Sequence, residues 1–227
     1  MAPYIKSKRW ATPERIRLLE LLAGGDIDAQ AIEIAICKKD PWYFLVNHVN
    51  TENSHAEINP FQPFPDKPHL FYLTRLWETE RRMIVPKSRQ MSVTWLFCAL
   101  YLWESMFFPS RLTVFSSKTE KDAIHLIQRT KFMHERLPKF IREMTPCIAL
   151  QTELKFKNRS TIHGIPAGAD QVRGLTLSGV FVDEGAFQDQ MKPMLAAAIP
   201  TLGKSGRITL VSSASPSFFQ MLMEDQE

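Results

Sequence analysis

At 227 residues, with 44% hydrophobic and 23% charged side chains, the chain has the size and make-up of one α/β domain, or one domain with a helical appendage. No apolar run approaches the ~18 residues of a membrane span, and the basic residues 1–10 have no apolar core and do not read as a signal peptide. The net charge of +4 permits a polyanionic partner without requiring one, and three widely separated cysteines in apolar surroundings (Cys37, Cys98, Cys147) read as reduced, buried thiols.

In chain order, the first sixty residues read as helical. Thr12-Pro13-Glu14 supplies an N-cap, a proline at the first helical position and an acid in the first turn, and the apolar period of Ile16, Leu18, Leu19 and Leu22 stops at Gly24-Gly25. Asp28 and Asp40-Pro41 are expected to start two more helices. Residues 50–68 are polar and proline-rich, an extended connection. A boundary at residue 60 divides a helical lid or lead, 1–60, from a core, 61–227. In the core, strand-like segments at 83–85, 112–116, 180–183 and 208–212 alternate with helix-like segments at 94–107, 118–137 and 190–199. That alternation predicts an α/β fold with a mostly parallel sheet flanked by helices. A hairpin over 154–165 is expected to turn near Asn158-Arg159.

Two motifs carry chemistry. GVFVDEGAF, residues 179–187, is an apolar strand ending in two acids, the Walker B arrangement, in which Asp183 would hold Mg²⁺, directly or through water, and Glu184 would orient and deprotonate the attacking water. About ninety residues upstream, KSRQMSVT follows an apolar strand and precedes a helix, where a phosphate-binding loop belongs. On the G-x-x-x-x-G-K-[ST] pattern, Thr94 keeps the metal-binding hydroxyl, Ser92 replaces the second glycine and Val93 replaces the lysine. Lys87, at the mouth of the loop, and Arg89 can supply the displaced positive charge. Ser92 lacks glycine's freedom at positive φ, and a lysine restored at position 93 is expected to change little. The basic residues Lys118, Lys121, Arg129 and Lys131 read equally well as a solvated helix face. The six histidines show no metal-ligand spacing.

These motifs, in this order, resemble the ATPase domain of the large terminase subunit, the DNA-packaging motor of tailed bacteriophages. Lys87-Ser88-Arg89-Gln90 is similar to that family's deviant Walker A. Asp40-Pro41-Trp42-Tyr43-Phe44, Pro63-Phe64-Pro65, Ile165-Pro166-Ala167 with Arg173-Gly174, and Ser212-Ser213-Ala214, like the family's coupling motif, extend the resemblance over about residues 40–217. It implies a RecA/ASCE-type P-loop NTPase that binds ATP and Mg²⁺ and drives double-stranded DNA into a procapsid in the host cytoplasm. Expected partners are the portal protein, the small terminase subunit and further copies in a ring. Lys87, Ser88, Arg89, Gln90, Met91, Ser92, Val93 and Thr94 would bind ATP. Gln62 is the candidate to contact adenine, although His69 also lies near the expected place. Thr94 and Asp183 would hold the metal; Glu184, Lys87 and Arg173 would be catalytic. Arg173 would either reach a neighbouring subunit's γ-phosphate or brace its own strand through Asp170. The family's C-terminal nuclease domain has no counterpart in this sequence, which reads as an ATPase domain alone. Two rivals stay open: a helicase-like translocase, disfavoured by Ala186 where such enzymes carry Asp or His, and a non-hydrolysing pseudo-ATPase that only binds DNA or partners.

Overall fold

A computed structural model describes residues 12–53, 58–166, 168, 172–213, 215 and 217–224. Helices α1 (Pro13–Ala23), α2 (Ile27–Lys39) and α3 (Pro41–His48) form the lead. The Thr12 hydroxyl accepts the Arg15 amide at 3.2 Å and the Asp40 carboxylate accepts the Tyr43 amide at 3.1 Å, as the N-cap reading requires. The second helix starts earlier than expected, because Asp26 rather than Asp28 is the cap and accepts the Ala29 amide at 2.7 Å.

The connection that follows is not wholly irregular. β1 (Asn50–Glu52) and β2 (Phe61–Pro63) pair antiparallel, with Thr51 opposite Gln62. Its last proline opens a helix missing from the sequence reading, α4 (Pro68–Thr79). Pro68 fits the first turn, where no N–H is needed, and Leu70, Thr74 and Trp77 fall on its buried side.

β3 (Arg82–Pro86), α5 (Val93–Phe107), β4 (Leu112–Ser117) and α6 (Glu120–Glu135) then alternate as expected. α7 (Lys139–Met144) and β5 (Cys147–Ala149) were not foreseen; β6 (Glu153–Phe156) and β7 (Thr161–Pro166) form the expected hairpin, with Arg159 at positive φ in its turn. β8 (Leu177–Asp183), α8 (Met191–Ala198), β9 (Leu202–Ser212) and α9 (Phe218–Glu224) complete the order. β9 begins six residues before the expected strand, directly after a short 3₁₀ turn at Ile199–Thr201.

The main sheet has seven strands in the order β3-β9-β8-β4-β7-β6-β5. The first five run parallel and the last two are added antiparallel. Alternation along the strands sends side chains to two cores, as a sheet covered on both faces requires. Phe115, Phe181 and Val211 join α5, α6 and α3 on one face. Val114, Val180, Val182 and Leu210 join Met191, Met194 and Phe219 of α8 and α9 on the other.

α5 is apolar nearly all round and is buried from Leu96 to Phe107. Its Tyr101 hydroxyl donates to the Val180 carbonyl at 3.1 Å and bonds Thr209 Oγ1. A side chain at Gly179 would meet the Tyr101 ring at 2.6 Å, so the glycine of GVFVDE lets the helix lie directly on its strand. No described helix is long and apolar enough to cross a membrane.

Candidate functional site

Register puts three strand ends side by side. Pro86 at the end of β3 pairs with Ser212 at the end of β9, and Asp183 at the end of β8 pairs with Val211. The loop after β3 and the acid pair after β8 therefore flank Ser212 at the carboxyl edge of the parallel sheet, where open α/β sheets bind ligands. The Lys87 amide donates to the Ser212 carbonyl at 2.9 Å, tying the mouth of the loop to the middle strand.

The loop takes the shape its missing glycines would serve. Gln90 and Ser92 adopt φ of +61° and +58°, left-handed values that cost a residue bearing a Cβ ~1–2 kcal/mol. α5 then starts at Val93 with no side chain capping its first turn. Its amides and its dipole favour an anion there. From α4, His69 Nε2 lies 3.1 Å from the Met91 carbonyl and holds the crest of the loop.

Of the expected loop residues, Lys87, Arg89, Gln90 and Thr94 line a cavity of about 530 Å³ together with Asp183, Glu184 and Ser213. Ser88, Arg89 and Met91 are exposed at the crest. Val93 points the other way, 3% exposed in the core with Leu96 and Phe97. The expectation that lysine would be tolerated there is therefore corrected, since an ammonium would enter an apolar cluster. Gln62 lies outside this cavity, in a neighbouring one of about 570 Å³ that Gln90, Ser92 and Trp95 also line.

The two acids have opposite environments. Asp183 is 6% exposed, and the Thr94 hydroxyl donates to its two carboxylate oxygens at 3.0 and 3.2 Å. Burial lifts its pKa above the ordinary range, against the pull of Lys87, Thr94 and Arg129. Glu184 Oε1 accepts Lys87 Nζ at 2.7 Å, and its Oε2 accepts the Ser213 hydroxyl at 3.2 Å. Burial alone would raise the Glu184 pKa, but the Lys87 ammonium and Ser213 outweigh it and hold the carboxyl below its usual value. The Glu184 backbone is left-handed, φ +53°, a strain of the kind that gathers at functional sites.

Ser212 and Ser213 both meet this centre. Ser212 Oγ accepts the Ala186 amide at 3.0 Å, just beyond Glu184. Ala214, the third residue expected to couple, lies outside the described residues, as do Ala167 and Asp170. Arg173 sits in an exposed turn between β7 and β8, away from the described lining of the cavity.

Sequence reasoning missed several residues. Gln188 is buried, donates to the Asp183 carbonyl at 2.7 Å and accepts the Ser116 hydroxyl at 3.3 Å, so it clamps two strand ends together. Asp122, His125 and Arg129 of α6, with Lys118 just ahead of the helix, also line the cavity. The spacing of three and four residues from Asp122 to Arg129 puts those three on one helical face, a signal hidden when the helix is read only for charge. In the lead, Glu33, Cys37 and His48 come within metal-ligand distance of one another. Both Glu33 oxygens already accept bonds from the Arg15 guanidinium and the Tyr43 hydroxyl, and His48 Nε2 contacts Oε1. Cys37 and Cys98 are buried free thiols as expected, while Cys147 is only half-buried.

A mostly parallel sheet in which one strand, β9, separates the loop strand from the acid strand, with helices on both faces, is a RecA-like α/β fold. Solved structures share this fold. The chain matches the large terminase ATPase domain of Thermus phage P74-26 with TM-score 0.56 and 17% identity, over 70% of this chain and 69% of that one. It matches the large terminase of bacteriophage HK97 with TM-score 0.66 and 13% identity, over 83% of this chain but 40% of the other. The large terminase of a thermophilic bacteriophage, in complex with ADP, matches with TM-score 0.53 and 14% identity, over 65% of this chain and 39% of that one. At these identities the likeness is one of fold, that of the phage large terminase ATPase domain. No family model and no curated protein matches the sequence.

Proposed function

We propose that this chain is the ATP-hydrolysing motor domain of a viral terminase large subunit, driving double-stranded DNA into a procapsid. The observation that carries the reading is the pair of bridges across one crevice, Lys87 to Glu184 and Thr94 to Asp183. A basic loop and an acid pair separated by 89 to 97 residues in sequence meet around one cavity at a helix N-terminus, as phosphoryl transfer to water needs.

In this reading the α5 amides and Arg89 cradle the phosphates. Lys87 leaves Glu184 for the β/γ-phosphates, because a polyphosphate carries more charge than one carboxylate. Glu184 is then free to orient water and take its proton. Thr94 Oγ1 and the Asp183 carboxylate are hard oxygen donors already converging on one point, a set that fits Mg²⁺. Bound there, the ion would neutralise charge developing on the phosphate oxygens. Gln62 serves the adenine from the neighbouring cavity. Arg173 serves another subunit's site in a ring, and the portal protein and small terminase subunit are the partners, in the host cytoplasm and transiently at the procapsid portal.

Phosphate release by the purified protein, with and without Mg²⁺ and DNA, tests the reading. Lys87→Ala should lower turnover by at least about a hundredfold, and Glu184→Gln should bind ATP without cleaving it. Binding without any wild-type hydrolysis would favour the pseudo-ATPase, and loss of ATP binding in Glu184→Gln would mean that the roles of the two acids are exchanged.

A further inference from the structure

The cavity holds four basic side chains in different states. Lys87 is committed to Glu184, Arg89 and Lys118 are exposed at the rim, and Arg129 is half-buried in the wall. Arg129 projects from the middle of α6, a sixteen-residue helix packed on the sheet, so its backbone is fixed in a way the loop residues are not. Its guanidinium carbon lies 5.7 Å from the centroid of the Trp95 ring. Trp95 directly follows Thr94 in the first turn of α5. Among the described residues Arg129 has no carboxylate partner.

A guanidinium on a rigid helix, steadied by an aromatic ring and near Asp183 but in no ion pair within 4 Å among the described residues, can turn its donors to an anion. It also stands between two spaces, since Arg129 and His125 line both the 530 Å³ cavity and a second of about 660 Å³ walled by Trp95 and Phe132. Position 93 cannot supply the cation that follows the second glycine in most phosphate loops, because Val93 is turned into the core. Lys87 approaches from the loop mouth, beside Glu184. Beside Thr94 and Asp183, Arg129 is the second cation whose charge acts on the Asp183 carboxylate, after Lys87.

We propose that Arg129 is a catalytic residue acting in cis, its planar fork binding the polyphosphate on the α5 side of the cavity, in place of the loop lysine this chain lacks. The inference rests on the nucleotide-hydrolysing reading above and adds to it a residue outside the recognised motifs. Two cations then hold the β/γ-phosphates from opposite sides, Lys87 from β3 and Arg129 from α6. The neighbouring Trp95 turns from partner of Arg129 to wall of the nucleotide site.

The test compares wild type, Arg129→Ala, Arg129→Lys and Lys87→Ala for ATP affinity, turnover and melting temperature, with and without Mg²⁺-ATP. Arg129→Ala should melt close to the wild type when no nucleotide is present, because the side chain is half-buried and is in no ion pair within 4 Å among the described residues. It should bind ATP at least about tenfold more weakly and turn over about a hundredfold more slowly, the size of effect found when one donor to a transition-state anion is removed. Arg129→Lys keeps the charge but not the fork or the stacking, and should recover only part of the loss. Should Arg129→Ala stay within about threefold of wild type in both affinity and turnover while Lys87→Ala is inactive, the assignment to Arg129 is wrong and the wider reading stands. A wild type that binds no nucleotide would overturn both.

Discussion

Ser92→Gly offers a direct measure of how the loop reaches its shape without glycine. Ser92 lies at φ +58° immediately before α5, and its side chain makes no capping bond. A Cβ in the left-handed region costs ~1–2 kcal/mol, whereas glycine loses ~0.5–1 kcal/mol more conformational entropy on folding. The difference favours Ser92→Gly by ~0.5–1 kcal/mol. At 227 residues each kcal/mol shifts melting by ~2–4 °C, so the variant should melt about 1–4 °C higher. Ser92→Ala keeps the Cβ and loses no hydrogen bond, so it should stay within ~0.5 kcal/mol of wild type. ATP affinity should change less than about threefold in Ser92→Gly, since the backbone is already in the conformation glycine would permit. Thermal melting of the three proteins decides it: a Ser92→Gly that melts below wild type, or a Ser92→Ala as destabilised as a lost cap, refutes the strain argument.

Three further outcomes follow from the same geometry. Val93→Lys should be destabilised by ~3 kcal/mol or more in urea titration, because it puts an ammonium among Leu96 and Phe97; a neutral result would mean that the side chain can turn into the loop. Glu33→Gln should lose ~3–5 kcal/mol at pH 7 by leaving the Arg15 guanidinium without its buried counter-charge. Although burial opposes it, bonds from His48 and Arg15 hold the Glu33 pKa below the ordinary 4.5. Its stabilisation is therefore complete above pH 4.5 and lost as the pH falls toward the depressed folded value, and the gap between wild type and Glu33→Gln should close over that interval in pH-dependent melting. Mixing Arg173→Ala with Glu184→Gln should restore phosphate release that neither has alone if Arg173 serves a neighbour's site; a mixture as inactive as its components, where the wild type is assembled and active, would sink that role.

The elements legible in the sequence were those whose period and capping agree. Thr12, Asp40 and the apolar strands before Lys87 and Asp183 each carry a local signal that the tertiary structure leaves intact. α4 was hidden because Pro68 ends a run of prolines that reads as extended chain, and the same residue serves as the first position of a helix. β5 was hidden because its three residues, Cys147–Ala149, are strand only through pairing with β6. At the site, Thr94, Asp183 and Glu184 were legible from motif order. The bond partners of Lys87 were not, since nothing local says that a lysine and a glutamate 97 residues apart will meet. The α6 wall needed knowledge of which face of that helix is covered.

One ring of bonds links Lys87 and Glu184 to the strand between theirs. Lys87 reaches Glu184 through its side chain and Ser212 through its amide, while Glu184 reaches Ser213, the next residue on the chain. Ser212 in turn fixes the amide of Ala186, two residues beyond the glutamate. An anion that draws Lys87 Nζ away thus removes one of the three bonds to the Glu184 carboxylate and leaves those from the Ser213 hydroxyl and amide. The glutamate is held there at a strained backbone angle, so its release is felt first at the end of β9, through Ser213 on one side and Ala186 on the other. On the proposed function, loss of a γ-phosphate would reverse the exchange at the same residues. The shortest physical route from such a cleavage to the chain beyond residue 212 would then run through two serines, which is reason to expect that Ser213→Ala weakens the link between hydrolysis and movement more than it weakens nucleotide binding.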